Sequence, residues 1–188
     1  MRSSRRVGSD GDRIRLFVGL PLPAGAVEGL AAWQAQGHLE AEDVRTVASE
    51  NVHITLAFLG SRPESELPEI VRVVRAAARQ ATPPTLTVER YRETRSVGML
   101  ELAEEDGAAA GLAGDVQDRL ERLGVYRREQ RPWLPHVTVL RFSARPGLRP
   151  PVPDLGPVSP SDAAIYHAVL RQGGAQYRIV ESVALGGG

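Results

Sequence analysis

Two stretches decide the fold: Asn51-Val52-His53-Ile54-Thr55-Leu56-Ala57-Phe58 and Leu134-Pro135-His136-Val137-Thr138-Val139-Leu140-Arg141. Each places His-x-Thr near the start of a β-prone run. The two histidines stand 83 positions apart in a chain of 188 residues. The duplication predicts two similar lobes, each contributing one strand. Side chains alternate across a strand. Val52, Ile54, Leu56 and Phe58 are therefore expected on one face, with His53, Thr55 and Ala57 on the other. In the second run Val137 and Val139 point one way, and His136 and Thr138 the other. If helices cover the apolar faces, the His and Thr side chains are left lining a groove.

Working outward, residues 14–20 read as a buried strand closed by Pro21 and Pro23. Residues 24–36 read as a helix with Val27, Leu30, Ala31 and Gln34 on one stripe, and Gly37 follows its end. Residues 44–47 make a short strand, 52–59 a strong one, and 64–80 a helix stopped by Thr82-Pro83-Pro84. Strands are expected at 86–93 and 97–102, a helix at 108–123 and a strand at 136–142. A terminal hairpin is expected at 163–170 and 176–185, joined through residues 171–175. Residues 145–160 hold six of the fourteen prolines and read as an ordered surface connection. The expected organisation is a flexible arm at 1–13, one bilobal domain at 14–185 and a tail at 186–188. The fold class is α+β: two similar lobes, each an antiparallel sheet with helices on its outer face, around a central groove. No Gly-rich phosphate loop follows a strand, and Gly107, Gly111 and Gly114 belong to a helical stretch.

Composition narrows the chemistry. The sequence has no cysteine, which removes disulfides, thiolate metal sites and a Cys nucleophile. All 23 basic residues are arginine, so Schiff-base, Lys-nucleotidyl and P-loop lysine chemistry are absent too. Arg and Lys balance Asp and Glu at 23 each, so a uniformly basic coat is excluded while a local basic groove is not. No apolar run approaches the length of a membrane span, and the polar N-terminus lacks the apolar stretch of a secretory signal. The expectation is a cytoplasmic monomer, with no membrane and no obligate protein partner.

A lone strand histidine is usually structural, but two in matching contexts among four His invite a functional reading. Neither His-x-Thr segment contains Asp, Glu or Cys, so no metal and no cofactor is expected. Two imidazoles suit acid–base work, one taking a proton from water and the other giving one to a leaving oxygen. Two Thr hydroxyls suit charged oxygens between them. The pattern fits in-line attack on a phosphodiester.

These motifs resemble the 2H phosphoesterase superfamily, and within it the RNA 2′,3′-cyclic phosphodiesterases, also called 2′-5′ RNA ligases. RLFVGLPLP at 15–23, ENVHITLAFLG at 50–60, LPHVTVLRF at 134–142 and AIYHAVLRQGGAQYRIV at 164–180 carry the likeness. Val47 departs from it, standing near a position where an aromatic residue is expected. The resemblance implies His53 as proton donor to the leaving oxygen and His136 as proton acceptor from water. It also implies Thr55 and Thr138 as phosphate holders, and Phe58 and Arg141 as residues flanking a nucleotide. Phe58 equally suits core packing, and Arg141 has the wrong strand parity unless a bulge intervenes. The implied activity is metal-independent hydrolysis of RNA 2′,3′-cyclic phosphate ends to 2′-phosphomonoesters, with ATP-independent 2′-5′ ligation as the related reaction. The substrate partners are then RNA ends or nucleotides bearing that cyclic phosphate. Rival readings are a 2H enzyme for a 2′-5′ oligonucleotide or ADP-ribose cyclic phosphate, and an RNA-end binding module with little turnover. Arg127, Arg128 and Arg131 either join Arg141 along one approach to the groove or form a solvated surface.

Overall fold

The computed structural model describes residues 12–187 apart from 38, 40, 172 and 173. The expected arm up to residue 11, His38 and Gly188 of the expected tail lie outside the described residues. Eleven main elements follow one another: β1 (Arg13–Pro21), α1 (Ala24–Gln34), β2 (Arg45–Thr46), β3 (His53–Pro63), α2 (Leu67–Gln80), β4 (Leu86–Glu93), β5 (Val97–Glu104), α3 (Ala108–Arg122), β6 (His136–Arg141), β7 (Asp162–Arg171) and β8 (Gly174–Ala184). Arg13, placed in the arm by the sequence reading, instead opens β1, where its guanidinium donates to the Ser61 hydroxyl and carbonyl at 3.1 and 2.6 Å.

The strands form one sheet in the order β4-β5-β6-β3-β1-β7-β8, with β2 added to β6, and every pairing is antiparallel. The two lobes are its halves, β8-β7-β1-β3 and β4-β5-β6-β2. Between them β3 and β6 share a single register pair, Ile54 with Val137. Beyond it β6 pairs with β2 instead, through Arg141–Arg45 and Leu140–Thr46. The sheet therefore opens between the strands that carry the two motifs.

Leu16, Leu20, Ile54, Leu56, Leu100, Leu140 and Ile165 are fully buried under the helices. Each such side chain contributes about 1.5–3 kcal/mol, and a one-residue slip would turn it to solvent, so the register is strongly specified. Helices α2 and α3 pack on each other and cover the first half of the sheet, burying Ile70, Val73, Val74 and Ala77 from one and Leu112, Val116 and Leu120 from the other. Helix α1 lies against the second half. It buries Ala26, Leu30 and Trp33 while Ala31 is exposed, so its stripe is rotated one residue from the expected one. The tryptophan accounts for the rotation, because its large apolar ring dominates burial and its indole N–H donates to the Pro151 carbonyl at 2.8 Å.

The proline-rich connection is held by buried Glu93. This carboxylate accepts from the backbone N–H groups of Gly147 and Leu148 at 2.9 and 2.8 Å, from Arg145 Nε at 3.1 Å and from the Tyr91 hydroxyl at 3.1 Å. Prolines supply no backbone N–H donor, so one carboxylate gathers the donors that Gly147 and Leu148 do supply at the start of the segment. Gly186, placed in the tail, donates its N–H to the Ala78 carbonyl at 3.0 Å.

Candidate active site

The Ile54–Val137 pair is the centre of a local twofold. Each partner is preceded by its histidine and followed by its threonine, and the strands run in opposite directions. His53 and His136 therefore sit diagonally on one face at the mouth of the opening. Their ring placement is the same. His53 Nδ1 lies 2.7 Å from the Asn51 carbonyl and His136 Nδ1 lies 2.8 Å from the Leu134 carbonyl, in each case two residues upstream. A carbonyl only accepts, so both Nδ1 atoms carry hydrogen and both Nε2 atoms are left for chemistry. The Thr55 hydroxyl stands 3.1 Å from His53 Nε2. Among the described residues, Thr138 Oγ1 and His136 Nε2 have no partner within the protein.

Past each threonine the strand bulges. Opposite β1 the register passes from Thr55 to Ala57, skipping Leu56, and opposite β5 it passes from Thr138 to Leu140, skipping Val139. Two consecutive side chains are consequently buried in each strand, Leu56 with Ala57 and Val139 with Leu140. The next residue returns to the groove face. This corrects the simple alternation: Ala57 faces the core, and Phe58, 48% exposed, lies with His53 and Thr55 and carries the Arg15 guanidinium 4.8 Å above its ring. The same shift brings Arg141 to the face of His136 and Thr138. The six candidate residues thus form two equivalent triplets, His53/Thr55/Phe58 and His136/Thr138/Arg141.

A bulge leaves a carbonyl without its ladder partner, and here a glutamine from the covering helix supplies one in each lobe. Gln117 Nε2 of α3 donates to Leu56 O at 2.8 Å, and Gln34 Nε2 of α1 donates to Val139 O at 3.1 Å. Val47 N–H adds a second bond to Val139 O at 2.9 Å. Leu56 O has the buried Gln117 in this place, so Gln117→Leu is expected to cost about 1–3 kcal/mol, the usual cost of orphaning a buried acceptor. Urea unfolding checks this: the midpoint should fall with little change in slope. The sequence signal was present, as a glutamine on the apolar stripe of each helix.

Three aromatic rings wall the first half of the groove. Phe17 stacks on Tyr166 at 4.6 Å and stands 4.6 Å from the His53 ring, while Tyr177 meets Phe17 and His53 edge-on at 4.9 and 5.3 Å. This apolar wall desolvates His53 and pushes its pKa down to about 4. The bond to Asn51 opposes the shift, and the nearby charges of His136 and Arg141 add to it. Gly19 permits the close packing, since a Cβ there would lie 2.8 Å from Ile54 O and 3.3 Å from His53 Cδ2. Asn51 ties the terminal hairpin to the site, its amide donating to Ala175 O at 3.1 Å and its carbonyl oxygen accepting from Tyr177 N–H at 3.2 Å. Arg141 Nη2 lies 3.4 Å from the Tyr177 hydroxyl, so a contact bridges the opening. Sequence reasoning did not single out Phe17, Tyr166, Tyr177 or Trp133, whose indole N–H donates to Thr55 O at 2.9 Å. Arg128, offered as a groove residue, faces α3 instead, paired with Asp118 and bonded to Gly114 O at 3.2 Å. His167 is half-buried on the opposite face, across from Leu16. Among the described residues, no three His, Asp or Glu side chains converge.

Two Nε2 atoms on one side of a groove, each beside a threonine and with a guanidinium between lobes, make an arrangement suited to acid–base attack on a phosphodiester. The comparisons agree. The family model described as LigT like Phosphoesterase matches residues 20–96. The RNA 2′,3′-cyclic phosphodiesterase of Escherichia coli K12 is 28% identical over 174 residues, covering 91% of this chain and 96% of its own. A crystal structure from Thermus thermophilus matches with a TM-score of 0.80 at 26% identity, and E. coli LigT complexed with 3′-AMP matches at 0.78 and 28%. Each covers 93% of this chain and 99% of its own. The chain is thus similar to LigT-like phosphoesterases over residues 20–96, and to RNA 2′,3′-cyclic phosphodiesterases over most of its length.

Proposed function

We propose that this protein hydrolyses the 2′,3′-cyclic phosphate ends of RNA to 2′-phosphomonoesters, acting in the cytoplasm as a single bilobal chain. The observation that carries the reading is the twofold-related pair of imidazoles with both Nε2 atoms turned to the groove. His136 Nε2 takes a proton from water as its oxygen forms a bond to phosphorus. The bond from phosphorus to O3′ breaks in line, and His53 Nε2–H protonates the departing oxygen. Thr55, Thr138 and Arg141 stabilise charge on the phosphoryl oxygens, and Phe58 offers a face to a base. His53 is neutral in the free protein near pH 7, and the anionic phosphate raises its proton affinity when it binds. If the 5′-hydroxyl of a second strand replaces water as the nucleophile, its oxygen bonds to phosphorus as the bond to O3′ breaks, which gives a 2′-5′ linkage without ATP. The matching E. coli relative bears the name of this activity, and E. coli LigT has been solved with 3′-AMP.

The test is incubation with a 2′,3′-cyclic nucleotide and a cyclic-phosphate-ended oligoribonucleotide in EDTA, followed by ³¹P NMR. A 2′-phosphate product is expected. A 3′-phosphate product would reverse the assignment of the leaving oxygen, and no turnover of either substrate would overturn the reading.

A further inference from the structure

We propose that Arg90 and Arg92, clamped together by Glu101, form a second anion site beside His136 that takes a backbone phosphate of the RNA strand whose end is cleaved. The inference rests on the reading above and names residues for the body of the substrate rather than its reacting end. Cross-strand register places the cluster. Glu101 of β5 pairs directly with His136 of β6, and Arg90 of β4 pairs with Glu101. One row along, Arg92 pairs with Met99, which pairs with Thr138. Directly paired residues share a sheet face, so both rows lie on the face of the catalytic motif. Facing Cα atoms in such pairs are about 5 Å apart, which puts the carboxylate that gathers the arginines one strand from the imidazole.

The chemistry of the cluster is one-sided. Glu101 is 0% exposed, while the Arg90 and Arg92 side chains remain 60% and 51% exposed. The carboxylate accepts from Nε and Nη2 of Arg90, and from Nη1 of Arg92 at 2.7 Å. Each guanidinium is thus tied to Glu101 while much of its side chain stays open to solvent. Burial alone would raise the Glu101 pKa, yet hydrogen bonds from Arg92 and Arg90 hold it below its usual value. A lone buried carboxylate next to a phosphodiester site would repel the substrate. Two arginines on one carboxylate leave a net positive charge of one and turn the position attractive. Apolar residues would close the sheet at least as favourably, so the cluster suits binding better than stability. Arginine forks match phosphate oxygens.

The experiment measures binding as well as turnover. Fluorescence anisotropy would follow a short oligoribonucleotide ending in a 2′-phosphate, with the 2′-phosphorylated mononucleotide as competitor. Arg90→Gln/Arg92→Gln removes the guanidinium charges, and a second variant adding Glu101→Gln leaves no orphaned buried charge. Both variants should bind the oligonucleotide at least about tenfold more weakly, the equivalent of one charge-assisted hydrogen bond or more. The mononucleotide should be held within about twofold. The slope of log affinity against log salt should fall by about 0.7 for each phosphate of a single strand that is no longer neutralised. An unchanged oligonucleotide affinity, or an equal loss for both ligands, would overturn the proposal. Turnover of neither cyclic substrate by the wild type would overturn the function instead, and the binding arm would still judge the arginines.

Discussion

His136→Ala lowers kcat/KM on a 2′,3′-cyclic phosphate by about 10²–10⁴, the usual contribution of one positioned acid or base, and His53→Ala does the same. The expectation follows from the matched geometry: each imidazole is fixed through Nδ1 to a carbonyl two residues upstream and presents Nε2 to the same opening. Removing either leaves one half of a proton relay. The double variant should be little worse than the poorer single one, because groups that act as a unit are not additive. The rings also differ in packing. His53 is wedged against Phe17, Tyr166 and Tyr177, so His53→Gln is the better control for lost volume. Steady-state kinetics on each variant decides the matter. A single variant within tenfold of the wild type would remove that histidine from the chemistry.

The second large effect is the coupling of His53 to pH. Its folded pKa of about 4 lies below the ordinary 6.5. Between those values the unfolded chain binds the proton and the native protein does not. Stability is therefore full above about pH 6.5, declines as pH falls through the window, and levels off below about pH 4. At about 1.4 kcal/mol per unit, the loss is on the order of 3 kcal/mol. His53→Gln should flatten this part of the acid stability profile in denaturant titrations from pH 7 to 4. An anion in the groove reverses the preference by favouring the imidazolium. Sulfate, whose charge is constant over this range, should bind more tightly as pH falls, with His53→Gln weakening the dependence. Calorimetry in two buffers of different ionisation heat would register the proton taken up. No proton uptake attributable to His53 would remove it as the charged donor.

Under the proposed mechanism, the pseudo-twofold at Ile54–Val137 lets two lobes with different helices serve one reaction. Each supplies a bulged strand, a histidine held by its own upstream turn, and a helix glutamine that satisfies the bulge carbonyl. The lobes then diverge in what they offer the substrate. The first presents aromatic faces, Phe17, Tyr177 and Phe58, and the second presents guanidinium groups, Arg141 and the Arg90/Arg92 pair.

Much of this was legible in the sequence because it depends on local pattern. The two His-x-Thr runs located the strands that meet at the groove, and apolar periodicity placed the helices and most strands to within a few residues. The absence of cysteine and lysine excluded whole chemistries without any structure. Strict alternation failed at Phe58 and Ala57, and it left Arg141 needing a bulge that only the register supplied. A bulge is a mismatch between two strands, and a single strand does not record its partner; the adjacent apolar pairs Leu56-Ala57 and Val139-Leu140 were its trace. The same limit hid the aromatic wall, since Phe17, Tyr166 and Tyr177 meet His53 only when the chain's two ends pair through β1 and β7. It hid the cluster beside His136 as well. Arg90, Glu101 and His136 are brought into one row by cross-strand pairing, a contact decided by burying both apolar faces at once rather than by any run of neighbouring residues.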